Sequence, residues 1–124
     1  MVRTVLDTGV FFYPTALERL RIRGGDVVIP AVALAERVRQ LRRDGRDEGA
    51  FMEAILLADY RPESLSPAAA CAIARTIQDD AKWRRLSRDA FIAAHVQPGD
   101  ELWTTNPKDF RELGLPDAAI VLVP

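Results

Sequence analysis

Val2-Arg-Thr-Val-Leu6 is a short β-branched and apolar run that stops at an acidic turn, Asp7-Thr-Gly9. Such a run bounded by turn formers predicts a buried strand with a carboxylate at its C-terminal end. The pattern recurs along the chain. Asp26-Val-Val-Ile29 is a second short strand closed by Pro30, Glu101-Leu-Trp103 leads into Thr104-Thr105-Asn106, and Ala119–Val123 forms the last strand. Helical stretches separate them: Thr15–Arg23, Ala31–Arg43, Glu48–Ala58, Ser66 to about Ile77, Ser87–Val96, and a short helix from Asn106 to near Gly114. Strands alternating with helices predict an α/β fold, a three-layer α/β/α domain with a mostly parallel central sheet. Ligands bind such sheets outside the C-terminal ends of the strands. Asp7 and the group Thr105, Asn106 and Asp109 fall there.

Local signals sharpen the outline. Thr15 with Glu18 three residues on has capping-box spacing, and Gly24-Gly25 ends that helix. Leu34, Val38 and Leu41 form an apolar stripe on the next helix, and Phe51, Ala54, Ile55 and Ala58 one on the third. Pro62 limits Tyr60–Leu65 to a sheet edge or a loop. Ser66-Pro67 has the N-cap and first-residue pattern of a helix start. Cys71, the one cysteine, sits in the small-residue run Ala68–Ala74 and is expected to be buried.

The bulk properties exclude more than they identify. A chain of 124 residues is the size of one ordinary domain, so 1–124 is read as a single unit. The net charge of −1 predicts no partner, so a nucleic acid would have to meet local basic patches. Arg37, Arg39, Arg42, Arg43 and Arg46 form one patch; Lys82, Arg84, Arg85 and Arg88 form another. A lone thiol makes neither an internal disulfide nor a good zinc site. No stretch approaches the ~20 apolar residues of a membrane span, and no signal-peptide pattern opens the chain. The expectation is a soluble, cytoplasmic protein.

Four carboxylates carry the chemical interest, and each has an ordinary structural role as well. Asp7 suits an Asx-turn or helix cap. Glu36 lies roughly 200° around its helix from Leu34, off the apolar stripe, where it could simply pair with Arg39. Asp89 precedes Ile92, Ala93 and Val96 on a packed face. In a helix starting at Ser87 it stands in the first turn, where the dipole favours an anion. Its burial calls for a cap or a cation. Asp109 fits the third position of a helix capped by Asn106 and opened by Pro107. Together, however, these acids could converge on one cleft. Their repulsion would raise their pKa values, and a divalent cation, Mg²⁺ or Mn²⁺, would remove that penalty.

Val5-Leu-Asp-Thr-Gly9 resembles the opening strand and acidic turn of PIN domains. Val28-Ile-Pro-Ala-Val-Ala-Leu-Ala-Glu36 resembles their second strand and acidic helix, Asp89-Ala-Phe-Ile-Ala-Ala94 their segment around a third acid, and Leu102-Trp-Thr-Thr-Asn-Pro-Lys-Asp-Phe110 their last strand-and-turn signature. The four segments keep the family's order, and the chain length is similar to that of VapC-like toxins. The resemblance implies Mg²⁺- or Mn²⁺-dependent endonucleolytic cleavage of RNA by the toxin of a toxin–antitoxin pair, a small antitoxin that blocks the cleft, and a homodimer. It assigns Asp7, Glu36, Asp89 and Asp109 to the metal and gives Thr105 a positioning role. Asn106 stands where many members carry Asp, which leaves the fourth acidic position open between Asn106 and Asp109. His95 reads as structural or partner-facing.

A phospho-acceptor receiver domain would need an acidic pair after the first strand, where Thr8-Gly9 follows Asp7 instead. A dinucleotide-binding domain would need Gly-x-Gly-x-x-Gly there. The alternative that survives is a PIN-like domain that binds RNA or protein without cleavage.

Overall fold

The computed structural model describes residues 2–124. Five strands, β1 (Arg3–Leu6), β2 (Asp26–Pro30), β3 (Arg61–Glu63), β4 (Glu101–Thr104) and β5 (Ile120–Leu122), alternate with helices. The helices are α1 (Pro14–Arg23), α2 (Ala31–Arg43), α3 (Glu48–Leu57), α4 (Pro67–Thr76), α5 (Asp80–Ala93) and α6 (Pro107–Glu112). A 3-10 helix, Thr8–Phe12, joins β1 to α1, and another, Asp117–Ala119, precedes β5. The sheet order is β3-β2-β1-β4-β5, and every neighbouring pair is parallel.

This order places the site. From β1 the chain moves outward to β2 and β3, then crosses back to β4 and β5 on the other side. Right-handed crossovers in opposite directions put helices on opposite faces and produce three α/β/α layers. The direction reverses between β1 and β4, so a crevice opens at their C-terminal ends. Covered on both faces, the central strands have no polar alternation: Val5, Leu6, Val28, Ile29 and Leu102 are all fully buried. Leu20, Ile55, Ile92 and Phe110 pack from the helices into the same core.

Several local expectations hold. Gly24, at φ 70°, ends α1 in a conformation open to glycine. Pro67 opens α4, and the Ser66 hydroxyl accepts from the Ala69 N–H at 3.1 Å. The segment with Pro62 is an edge strand. No helix among the described residues is long and apolar enough to cross a membrane.

Others need correction. Helix α5 starts at Asp80 rather than Ser87, with the Asp79 carboxylate accepting from the Lys82 N–H at 2.8 Å. Asp89 therefore lies in the third turn, beyond the reach of the N-terminal dipole, although it is on the packed face as predicted. Pro14, not Thr15, begins α1, because its missing N–H and fixed φ suit a first helical position. The core face of α2 is Ala33, Arg37 and Leu41, turned from the predicted stripe. Leu34 and Val38 instead line an open groove with Met52, bordered by Arg39, Arg42 and Arg43. Cys71 is exposed, since α4 lies on the outside and buries no residue fully.

Helix α3 ends on a side chain where glycine would fit better. Asp59 has φ 60°, and the next N–H, that of Tyr60, donates to the Ile55 carbonyl at 3.0 Å. Asp59 is exposed and holds this left-handed conformation at the helix terminus. Asp59→Gly is expected to stabilise the fold by roughly 0.5–1 kcal/mol, the relief of that strain less glycine's greater freedom when unfolded. Chemical denaturation measures it; an unchanged or lower stability would show that the turn is not strained.

Candidate active site

The end of β1 is tied to β4 through both main chain and side chain. The Asp7 N–H donates to the Trp103 carbonyl at 3.0 Å. One Asp7 carboxylate oxygen accepts from the Thr8 N–H at 2.8 Å, and the other from the Thr104 hydroxyl at 2.7 Å. The same Thr104 oxygen accepts from the Asn106 N–H at 3.0 Å. Thr104 is fully buried and Asp7 only 3% exposed. One hydroxyl thus fixes both the first acid and the turn after β4. The 3-10 helix lies so close to that turn that a Cβ at Gly9 would collide with the Thr105 hydroxyl. Glycine is needed there for close approach rather than for a special φ.

The other acids arrive from the surrounding helices. Glu36, half-buried on α2, accepts through Oε2 from the Thr8 hydroxyl at 3.1 Å and from Arg88 Nη1 at 2.5 Å. Asp89, 3% exposed on α5, accepts through Oδ1 from Arg88 Nη2 at 2.8 Å. Asp109 accepts from the Asn106 side-chain amide at 2.8 Å and lies 3.6 Å from Arg85 Nη1. Asn106 occupies the N-cap position of α6 but forms no side-chain cap; its amide goes to Asp109 instead.

The charges feel one another. Burial pushes the Asp7 carboxyl above the ordinary aspartate range, and Glu36 pushes the same way. The Thr104 and Thr8 hydrogen bonds and the Arg88 charge offset this only in part. Burial also raises Asp89, helped by repulsion from Asp7 and Asp109 and opposed by Arg88. For Arg88, burial disfavours the charge, but Asp89, Glu36 and Asp7 outweigh it and raise the pKa. The predicted acids therefore occupy one electrostatic neighbourhood. Thr105 packs against Gly9, and the hydroxyl that reaches a carboxylate belongs to its neighbour Thr104. Thr104 was not singled out from the sequence, although a threonine ending an apolar strand was the available signal.

Among the described residues, no three His, Cys, Asp or Glu side chains are disposed to hold a metal ion as they stand. Arg88 spans two of the acids. The donor set nevertheless suits a hard divalent cation. It consists of carboxylate, hydroxyl and amide oxygens, without thiolate or imidazole, around two buried carboxyls that one shared guanidinium leaves under-neutralised.

The remaining candidates have structural settings. Buried His95 places Nδ1 2.7 Å from Glu63 Oε1. Arg3, at the other end of β1 from the acids, holds both Glu63 oxygens at 2.9 and 2.7 Å, donates to the His95 carbonyl at 2.9 Å and pairs with Asp100. Burial raises the Glu63 carboxyl, but its bonds with His95 and Arg3 prevail and hold it below the usual range. Trp103 is buried beneath Arg19 and Arg23, whose guanidinium carbons lie 5.1 and 5.4 Å from the ring centre. Trp83 makes an edge contact with Phe91 at 5.9 Å. Of the first basic patch, Arg37 is buried over Phe12 and Phe51, while Arg42 and Arg43 pair with Glu48 and Asp44. The second patch lies along α5, with Arg85 and Arg88 on the cleft acids.

A parallel α/β/α sheet with carboxylates gathered at its switch point defines a protein with an acidic cleft. The PIN domain family model matches residues 4–115, which include every group of this cleft, and the chain belongs to that family. A solved structure described as a toxin-antitoxin complex from Klebsiella pneumoniae is similar in fold, with a TM-score of 0.63 at 20% identity over 95% of this chain and 95% of that chain. No curated protein matches the sequence.

Two measurements follow from this geometry. In chelator, a folded-state pKa raised above the unfolded value means that stability is lost as pH rises through the carboxyl range and does not return above it. Asp7→Asn removes that charge, so it should stabilise the metal-free protein on the order of 1 kcal/mol at neutral pH, roughly 4 °C in thermal midpoint. The gain should vanish below the carboxyl range; a pH-independent difference would show that charge is not the cause. Thr104→Val, nearly equal in shape, removes the donor to a buried carboxylate and should destabilise by about 1–3 kcal/mol. A smaller penalty in the Asp7→Asn background would demonstrate the coupling, since the lost acceptor of the Asn106 N–H costs the same in both, whereas additive effects would refute it.

Proposed function

We propose that this protein is a metal-dependent endoribonuclease, the toxin of a toxin–antitoxin pair, hydrolysing RNA phosphodiester bonds. The observation that carries the reading is the convergence of Asp7, Glu36 and Asp89, with Asp109 beside them, at the switch point of a PIN-family sheet. Asp7 and Asp89 would hold Mg²⁺ or Mn²⁺, with Glu36 and Asp109 completing the acidic set and Asn106 contributing an oxygen. When bound, such a cation supplies Lewis-acid stabilisation of charge developing at phosphorus and acidifies water.

The chain's own groups do the positioning. The Thr104 hydroxyl keeps the Asp7 carboxylate aimed from the end of β1, and Thr8 does the same for Glu36. Thr105, at the cleft margin, is assigned a positioning role toward substrate. Lys82 and Arg84, exposed on the helix that carries Asp89, provide cations for the RNA backbone, so binding should weaken with salt. The toxin assignment draws on the fold shared with the Klebsiella pneumoniae toxin-antitoxin complex. It brings with it a small antitoxin partner that blocks the cleft, a homodimer and a cytoplasmic setting. The competing reading is a PIN domain that binds RNA or protein without cutting. Its specific support is Asn106 in the acidic turn, with an arginine bonded across the acids.

The test is cleavage of a structured RNA panel by wild type and Asp89→Asn, with Mn²⁺, with Mg²⁺ and with chelator. Cutting that needs the metal and falls by about a hundredfold or more in the variant, the order seen when a group stabilising the transition state is lost, is expected. Binding of the same RNAs without cutting in either metal would favour the non-catalytic module.

A further inference from the structure

Among the described residues, Arg88 is the one cation bonded to two of the candidate metal-binding acids at once. Its Nη1 lies 2.5 Å from Glu36 Oε2 on α2, and its Nη2 lies 2.8 Å from Asp89 Oδ1 on its own helix. The charge of Asp7 acts on it as well. Arg85, one turn earlier, is occupied with Glu112 at 2.7 Å and lies at the longer 3.6 Å from Asp109. Arg88 is thus the cleft's principal internal counter-charge, and it occupies one oxygen of each of two carboxylates that the metal-site reading assigns to the cation. A +2 ion and a guanidinium sharing those oxygens would repel each other at short range. The Arg88 side chain is 43% exposed, so part of it already faces water. A long, flexible, partly exposed side chain can leave without disturbing the core, whose nearest fully buried members on this helix are Leu86 and Ile92.

We propose that Arg88 is a built-in competitor for the metal site: loading exchanges its guanidinium for the divalent cation, and the exchange sets the cation concentration at which the cleft fills. This rests on the metal-site reading above and adds a role that the acids alone do not imply. A purely structural Arg88 would stay paired on loading, and its loss would leave metal affinity unchanged or weaker.

The test is calorimetric titration of chelator-stripped protein with Mn²⁺ alone, comparing wild type, Arg88→Gln and Arg84→Gln. It is paired with the Arg88 guanidinium Nη–H resonance of wild type during a Mg²⁺ titration. Arg88→Gln should bind Mn²⁺ about tenfold more tightly, the equivalent of 1.4 kcal/mol, while lowering the thermal midpoint in chelator. Arg84→Gln, which removes an exposed charge from the same helix, should change affinity far less. The Arg88 resonance should shift and lose solvent protection as Mg²⁺ binds. Arg88→Lys keeps the charge without the two-acid fork and should fall between wild type and Arg88→Gln, which provides a second variant if the glutamine form does not fold. Equal Mn²⁺ affinity in wild type and Arg88→Gln, or an unmoved Arg88 resonance at saturation, would overturn the competitor role and leave the metal site standing. No Mn²⁺ binding by any form would overturn both.

Discussion

A carboxylate buried at the end of the first strand is the constraint on which the rest of this structure depends. Asp7 is almost removed from water, and its two oxygens are met by one backbone N–H and one threonine hydroxyl. Those bonds hold the group in place without neutralising it. Everything nearby accommodates that fact. β4 sits beside β1 in parallel register, Leu6 opposite Trp103, so that Thr104 comes level with the acid. The 3-10 helix turns tightly enough to need Gly9 against Thr105. Helices α2 and α5 bring Glu36 and Asp89 into the same field, with Arg88 between them.

Such an arrangement costs stability, and the hydrophobic frame carries the cost. Parallel strands covered on both faces supply the driving force, and the acid cleft uses part of it to keep like charges together. A second ionic network, reached from Arg3, shows the contrast. In it the Arg3 guanidinium bonds Glu63 and pairs with Asp100, and the bonds from Arg3 and His95 hold Glu63 below its usual range. One ionic cluster is satisfied within the chain. The other is left short of positive charge, which is the electrostatic condition for recruiting a cation from outside.

How much of this could be seen in the sequence depended on range. The strands were visible because β1, β2 and β4 are short apolar runs ending at turn formers. α2 was placed to the residue because Pro30 and Asp44-Gly45 bracket it. The sequence places the start of α5 at Ser87, where its apolar spacing begins; the charged run before it gives no such spacing, and the structure carries the helix back to Asp80 with Asp79 as the cap. That start puts Asp89 in a first turn, yet its place on the packed face follows from the spacing of Ile92, Ala93 and Val96, and the structure buries it beside Leu86, Ala90 and Ile92. The sequence sets Glu36 opposite the stripe of Leu34, Val38 and Leu41; the core face is instead Ala33, Arg37 and Leu41, Glu36 is half-buried beside it, and its partner is 52 residues away rather than at i+3. No periodicity reports such a pairing. The same holds for Thr104 and Asp7, which meet only because the sheet reverses direction between their strands.

The central claim is that this cleft is a divalent-cation site, and the most direct test is diffraction. Crystals of the wild-type protein grown with Mn²⁺ and measured at the manganese absorption edge would locate the ion independently of any activity. The account predicts an anomalous peak in the crevice between β1 and β4, bound by Asp7 and Asp89, with Arg88 no longer bridging Glu36 and Asp89. Fully ordered acids with no peak there at saturating Mn²⁺, and Arg88 still in place, would contradict it.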